Sequence, residues 1–280
     1  MEILYRMILN TKNTKLHNRE KVGDDLMEMF NLEGKVAIVT GSGKGIGKGM
    51  ALGLADAGAD LVIVARTEED IQQTVLEIEA KGRRAIGIST DVKKKEEIEE
   101  MVAKAINHFG KVDILVNNAG MNIRTPALDV PEEEWETIIQ TNLKSTFFAS
   151  QAVGRHMVEQ NSGSIINISS VAGRVALRTG AVYASTKAAM IQMTKTLALE
   201  WGSHNVRVNA IAPWYFRTPL TEKLLDNEAF YNEVISRTPL RRVGQIPELV
   251  GPAVFLASDA SSYITGHTIF VDGGMSIYGF

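Results

Sequence analysis

The sequence predicts an α/β fold: a doubly wound parallel sheet of about seven strands with helices on both faces. Three observations predict it. Short β-branched apolar runs alternate with stretches of helical spacing along most of the chain. The first such run passes straight into a glycine-rich loop and then a helix. The 280 residues contain no cysteine, and apolar runs such as LVIVA at 61–65 have strand length, so neither disulfides nor a membrane span competes with a buried sheet. Strands separated by helices need right-handed crossovers, which make neighbouring strands parallel and cover both faces.

Residues 1–31 read as an N-terminal extension, with 1–17 expected to be mobile and 18–30 able to form a turn or two of amphipathic helix. From residue 32 to 280 the pattern is that of one domain. VAIVT at 36–40 is the first strand, GSGKGIG the loop, and KGMALGLADAG a helix ending on glycine. The second strand, Ala59 to Ala65, ends in Arg66 and Thr67, and helical spacing follows from Glu68 to Lys81. A third strand runs from Ala85 to Ser89; Asp91 and Val92 then precede a charged helix whose charge run reads as a solvated face. VDILVNN at 112–118 is the fourth strand. The stretch from Pro131 to Gln160 reads as one long helix with the proline in its first turn and Asn142 inside it. The strand around SIINIS, a helix from near Ala181, the strand NVRVNAIAP, a helix from Pro247 and the strand HTIFVDGG complete the series. Residues 214–246, rich in Thr, Pro and Arg, read as a loop excursion over a pocket, where substrate choice usually resides.

Composition excludes several classes. With 30 Lys and Arg against 33 Asp and Glu the net charge is −3, and no basic run is interleaved with aromatics, so nucleic acid is not an expected partner. The N-terminal stretch is too short in apolar residues for a secretion signal and carries acidic residues, so a cytoplasmic location without membrane attachment is expected. His108, His156 and His267 are scattered singly, and no metal site is expected.

Chemistry concentrates between Ser164 and Trp201. Tyr183 and Lys187 lie four residues apart, on one face of a helix, with the ammonium within reach of the phenol. A free tyrosine ionises near ~10, and bringing it to ~7 needs about 4 kcal/mol, which an ammonium in a desolvated cleft can supply. Such a tyrosine exchanges protons at neutral pH. Ser170, at the end of the preceding strand, could hold a carbonyl oxygen as it gains charge. A snorkelling surface pair is the competing reading of Tyr183 and Lys187. In the glycine loop, Gly41, Gly45 and Gly47 permit close approach to a pyrophosphate favoured by the helix N-terminus. Arg66 ends the strand where dinucleotide folds read the adenosine ribose, and Lys44 adds a second cation. Both favour the 2′-phosphate of NADP(H), with NAD(H) still possible.

TGSGKGIG at 40–47, NNAG at 117–120, Asn142, Ser170 and YASTK at 183–187, in this order, resemble the short-chain dehydrogenase/reductases over nearly the whole chain. The resemblance implies a Rossmann-like domain, usually a homotetramer assembled through the helices holding Asn142 and Tyr183. It implies Tyr183 as general acid for carbonyl reduction and Lys187 as the group that lowers its pKa and binds the nicotinamide ribose. Ser170 would polarise the carbonyl, and Asn142 would hold a water linking Lys187 to solvent. Gly41, Ser42, Lys44, Gly45, Ile46 and Gly47 would form the pyrophosphate loop. Asp91 and Val92 would frame the adenine, Asn118, Ala119 and Gly120 the adenosine side, and Phe216 with Thr218 the carboxamide. Hydride transfer of this kind needs no metal.

MNIRTPAL after the NNAG motif, APWYFRTPLTEKLL, RTPLRRVGQIPEL and the ending YITGHTIFVDGGMSIYGF resemble the tropinone reductase-like branch. Trp214 departs from the glycine usual after the proline in relatives and puts an aromatic at the pocket wall. The first expectation is therefore an NADP(H)-dependent oxidoreductase for a ketone or secondary alcohol of a small apolar or cyclic substrate, bounded by Val175, Leu177, Trp214, Tyr215, Leu220 and Leu224. A sugar or polyol dehydrogenase of gluconate or glucose type is the runner-up. A 3-oxoacyl carrier-protein reductase follows it, disfavoured because Asn161 and His204 stand where carrier-docking arginines would fall. A non-catalytic cofactor sensor would be expected to lose part of the Asn, Ser, Tyr, Lys set, and all four are present.

Overall fold

A computed structural model describes residues 27–178 and 180–278. Most of the helical turn expected at 18–30, and the expectation of mobility before it, fall on residues 1–26 and lie outside the described residues. The main body begins at Leu32, which is fully buried and donates its amide to Ala57 O at 2.7 Å.

Seven parallel strands form one sheet in the order β3-β2-β1-β4-β5-β6-β7. They are β1 Val36–Thr40, β2 Asp60–Ala65, β3 Ala85–Ser89, β4 Ile114–Asn117, β5 Gly163–Ile168, β6 Val206–Pro213 and β7 Thr268–Val271. All five residues of β1 are buried, as a central strand covered on both faces requires. Side-chain alternation divides them. Ala37 and Val39 join Leu61 and Ile63 under α1 (Gly45–Asp56), α2 (Glu68–Glu79) and a late helix, Pro247–Ala257. Val36 and Ile38 join Val62 and Val64 on the other face, under α3 (Lys95–Phe109) and the long helices that flank β5.

Those helices differ from the sequence expectation in one respect. The predicted single helix from Pro131 is α4 (Glu132–Ile139), a π-helical turn over Gln140–Lys144, and then α5 (Ser145–Glu159). Pro131 stands outside as the N-cap residue, with extended backbone. A π-turn carries the same side-chain types as an α-helix, so apolar spacing does not reveal it. The next helix, α6 (Ala181–Trp201), begins where expected, after Gly180 at φ +83°. The excursion after β6 holds α7 (Glu222–Leu225) and α8 (Glu228–Ser236), packed through Tyr215, Leu225, Val234 and Val243. It leads to α9, the late helix Pro247–Ala257. No helix among the described residues is long and apolar enough to cross a membrane.

Strand order reverses at β1, which pairs with β2 on one side and β4 on the other. In a doubly wound sheet the crevice beyond the carboxyl ends of those strands is the ligand position.

Candidate active site

The glycine loop leaves β1 at Thr40 and closes into α1 through Gly41 and Gly45, at φ +64° and +61°, a region glycine occupies without strain. Lys44, at the N-cap position of α1, makes no side-chain cap, and the first turn has no acidic residue. The α1 amides are therefore free to receive an anion. Beside them opens a cleft of about 380 Å³. Gly41, Lys44, Arg66, Asp91, Val92, Ala119 and Gly120, all expected at the cofactor, line it together with Asp70. The uncapped amides and the cations fit a phosphorylated dinucleotide.

Other expected contacts point elsewhere. Ser42 is fully buried: its hydroxyl donates to Val39 O at 2.6 Å and accepts from Val64 N at 2.9 Å, pinning the loop to β1 and β2. Ile46 packs on the core, and Gly47 is buried against Gly41 and Asn118. The Asn118 amide donates to Thr40 O and Gly41 O at 3.0 and 3.1 Å, holding the loop's shape. Thr218 borders Gly45 at the far end of the loop, while the Phe216 ring is buried over Gly244.

The catalytic candidates converge. Asn142, fully buried in the π-turn, donates to Met121 O at 2.9 Å and accepts from Met121 N at 2.8 Å, and it also donates to Thr186 Oγ1 at 3.3 Å. A Cβ on Gly120 would lie 3.3 Å from Asn142 Oδ1 and 3.7 Å from Lys187 Nζ, so a glycine there keeps the two groups open to each other. Lys187 is buried, donates to Ile168 O at 2.7 Å, and sits 5.5 Å from the Tyr183 ring centre. Burial lowers its pKa to about 8.

Tyr183 departs from the sequence expectation. Burial raises its pKa and outweighs the lowering by the nearby Ser170 hydroxyl and the positive charge of Arg124. The Lys187 ammonium meanwhile is held on the strand carbonyl below. The phenol is thus protonated at neutral pH, the state a general acid requires.

Arg124, inside the MNIRTPAL stretch, is a further candidate that the sequence alone does not single out. It donates to Tyr215 Oη at 3.0 Å and lies over that ring. With Leu177, Trp214 and Tyr215 it lines a cavity of about 110 Å³, to which Phe230 and Glu233 of α8 also contribute. Tyr183 does not itself line this cavity, but Arg124 and Tyr215 lie near enough to act electrostatically on its phenol. Arg178, Glu233 and Arg237 surround the mouth, with Arg178 and Glu233 paired across it. Of the six residues expected to bound the substrate, Val175 and Leu220 do not line the cavity; Leu220 is 67% exposed. Leu224 faces a separate shallow depression with Phe230. Turns decide these directions, and the excursion carries no periodicity to read them from. Asn122 Oδ1, beside Gly180 at the start of α6, is buried with no hydrogen-bond partner among the described residues.

A sequence model of the family described as Enoyl-(Acyl carrier protein) reductase matches residues 41–276. The chain is 43% identical over 250 residues to 2-dehydro-3-deoxy-D-gluconate 5-dehydrogenase of Escherichia coli, covering 89% of this chain and 98% of that one. It is 42% identical over 252 residues to a tropinone reductase homolog of Arabidopsis thaliana, covering 90% and 96%. The fold overlays a gluconate 5-dehydrogenase from Burkholderia cenocepacia, solved in complex with NADP and tartrate, with a TM-score of 0.87 at 40% identity, covering 90% of this chain and 99% of that one. Seven parallel strands, a glycine loop at the switch point and a Tyr183–Lys187 helix facing Ser170 and Asn142, together with these likenesses, show that the chain is an oxidoreductase belonging to the short-chain dehydrogenase/reductase family.

Proposed function

We propose that this chain interconverts a keto sugar acid and its secondary alcohol with NADP(H), the sugar-dehydrogenase alternative rather than the apolar cyclic ketone first expected. The observation that carries this reading is Arg124, a cation on the cavity wall whose charge reaches the Tyr183 phenol. Arg178 and Arg237 add charge at the mouth against the single carboxylate of Glu233. A neutral ketone has no use for this excess, whereas a carboxylate does. Similarity to the Escherichia coli and Burkholderia cenocepacia sugar-acid dehydrogenases supports the same class, and the NADP of the latter supports the cofactor.

In this reading a nicotinamide held in the cleft of Gly41, Lys44 and Arg66 would supply the hydride chemistry. Ser170 holds the carbonyl oxygen, and Tyr183, protonated, gives its proton to that oxygen as charge develops. Lys187 carries the positive charge beside the phenol, and Asn142 fixes the backbone at Met121 next to it. The homotetramer implied by family resemblance has support in Trp135 of α4 and Phe147 of α5, exposed at 46% and 39%.

A second reading, reduction of a neutral cyclic ketone, is favoured by the aromatic wall of Trp214, Tyr215 and Phe230 and by the tropinone reductase homolog. The deciding experiment measures NADPH oxidation with 5-keto-D-gluconate, 2-dehydro-3-deoxy-D-gluconate and tropinone. The proposal expects kcat/KM for one sugar acid about 100-fold or more above tropinone. The reverse order would establish the second reading.

A further inference from the structure

The expected 2′-phosphate cations are not equivalent. Arg66 forms no ion pair among the described residues, whereas Lys44 Nζ lies 2.8 Å from Asp70 Oδ2. Asp70 is in the first turn of α2, where the helix N-terminus favours a carboxylate. Its place is set by packing. A Cβ on Gly43 would come within 2.8 Å of Asp70 Cβ, so the glycine loop lies directly against this residue, and Thr74 Oγ1 donates to Asp70 O at 2.8 Å. The side chain is only 29% exposed, while Lys44 is 64% exposed and free to swing. The carboxylate thus forms a fixed wall of the cleft that also holds Arg66. The cleft's other lysine, Lys93, faces Asp91 at 3.8 Å.

We infer that Asp70 is a cofactor-selectivity residue: it holds Lys44 when no 2′-phosphate is present and must yield Lys44 to the phosphate when NADP(H) binds. A dinucleotide without that phosphate leaves the Lys44–Asp70 pair intact. The protein's preference for the phosphorylated cofactor is therefore weaker than two free cations would make it. This rests on the NADP(H) reading above.

The experiment compares wild type, Asp70→Asn, Lys44→Met and the double variant, titrating NADPH and NADH separately and following nicotinamide fluorescence. Asparagine keeps the Cβ that packs on Gly43, and thermal melting checks the fold. Asp70→Asn is expected to tighten NADPH about three- to ten-fold, the size of one partly screened charge interaction, and to change NADH less than about two-fold. In the Lys44→Met background the gain for NADPH should shrink, because no exchange is left to make. Unchanged or weaker NADPH binding in Asp70→Asn would overturn the inference and make Asp70 a support for Lys44. An equal gain with and without Lys44 would overturn the exchange. If wild type and Arg66→Ala bind NADPH no better than NADH, the cofactor reading itself has failed, an outcome separate from the other two.

Discussion

Lys187 donates its ammonium to the carbonyl oxygen of Ile168 across 2.7 Å, inside the protein and 5.5 Å from the ring centre of Tyr183. One strand carbonyl and the Met190 sulfur at 3.6 Å are thin solvation for a buried charge, and burial lowers the pKa from 10.5 to about 8. Folded pKa below unfolded pKa means the charge costs stability. The cost, about 3 kcal/mol, is fully present below pH 8 and disappears as pH rises toward 10.5. Lys187→Met should therefore gain on wild type at pH 7 and lose that advantage between pH 8 and 10.5. Denaturant unfolding of the cofactor-free proteins across this range checks it; a difference that stays flat with pH would contradict the burial argument.

Tyr183→Phe removes the proposed proton donor and leaves the cleft walls in place. Turnover should fall by about 10²- to 10⁴-fold, while NADPH affinity stays within about two-fold. Stopped-flow or steady-state assays paired with fluorescence titration separate the two effects.

Arg124→Gln keeps a donor for Tyr215 Oη but removes the charge. For a sugar acid, kcat/KM should drop about 30- to 100-fold, the worth of one charge-assisted hydrogen bond in a partly desolvated site. Turnover of tropinone, if any, should hold within about three-fold. An equal loss on both substrates would mean that Arg124 shapes the cavity without reading its ligand.

Ser42→Ala tests a residue that the motif alone puts on the cofactor and the structure turns inward. Leaving Val39 O and Val64 N without their partner should cost about 1–3 kcal/mol in urea unfolding. NADPH affinity of the folded variant should change little.

Light scattering in solution is expected to give the mass of a tetramer. Trp135→Glu combined with Phe147→Glu, which places charge on two exposed aromatics, should yield a smaller species.

The strands and most helices were legible because burial imposes a period on them. β1 and β2 read as unbroken apolar runs since both faces are covered, and α3 reads as an amphipathic helix since one face is not. Tyr183, Lys187, Ser170 and Asn142 were legible because their order and spacing are distinctive. The π-turn was not, since it changes the backbone winding without changing residue type, and with it went the reason that Asn142 bonds Met121. Arg124 was passed over within a stretch quoted for its likeness alone, because its partner Tyr215 is 91 positions away.

By itself the sequence determined the parallel sheet and the glycine loop between β1 and α1, and it singled out Asn142, Ser170, Tyr183 and Lys187 as the four candidates for the reaction. Only the tertiary structure decided where side chains of irregular segments point. Ser42 turned into the sheet, Lys44 committed to Asp70, Leu220 left in solvent and Arg124 brought against Tyr215 all depend on contacts between segments far apart in the chain. Periodicity governs regular elements, where each residue's direction follows from its neighbour's. In loops that direction is set by packing against whatever the fold brings near, and no local pattern records it.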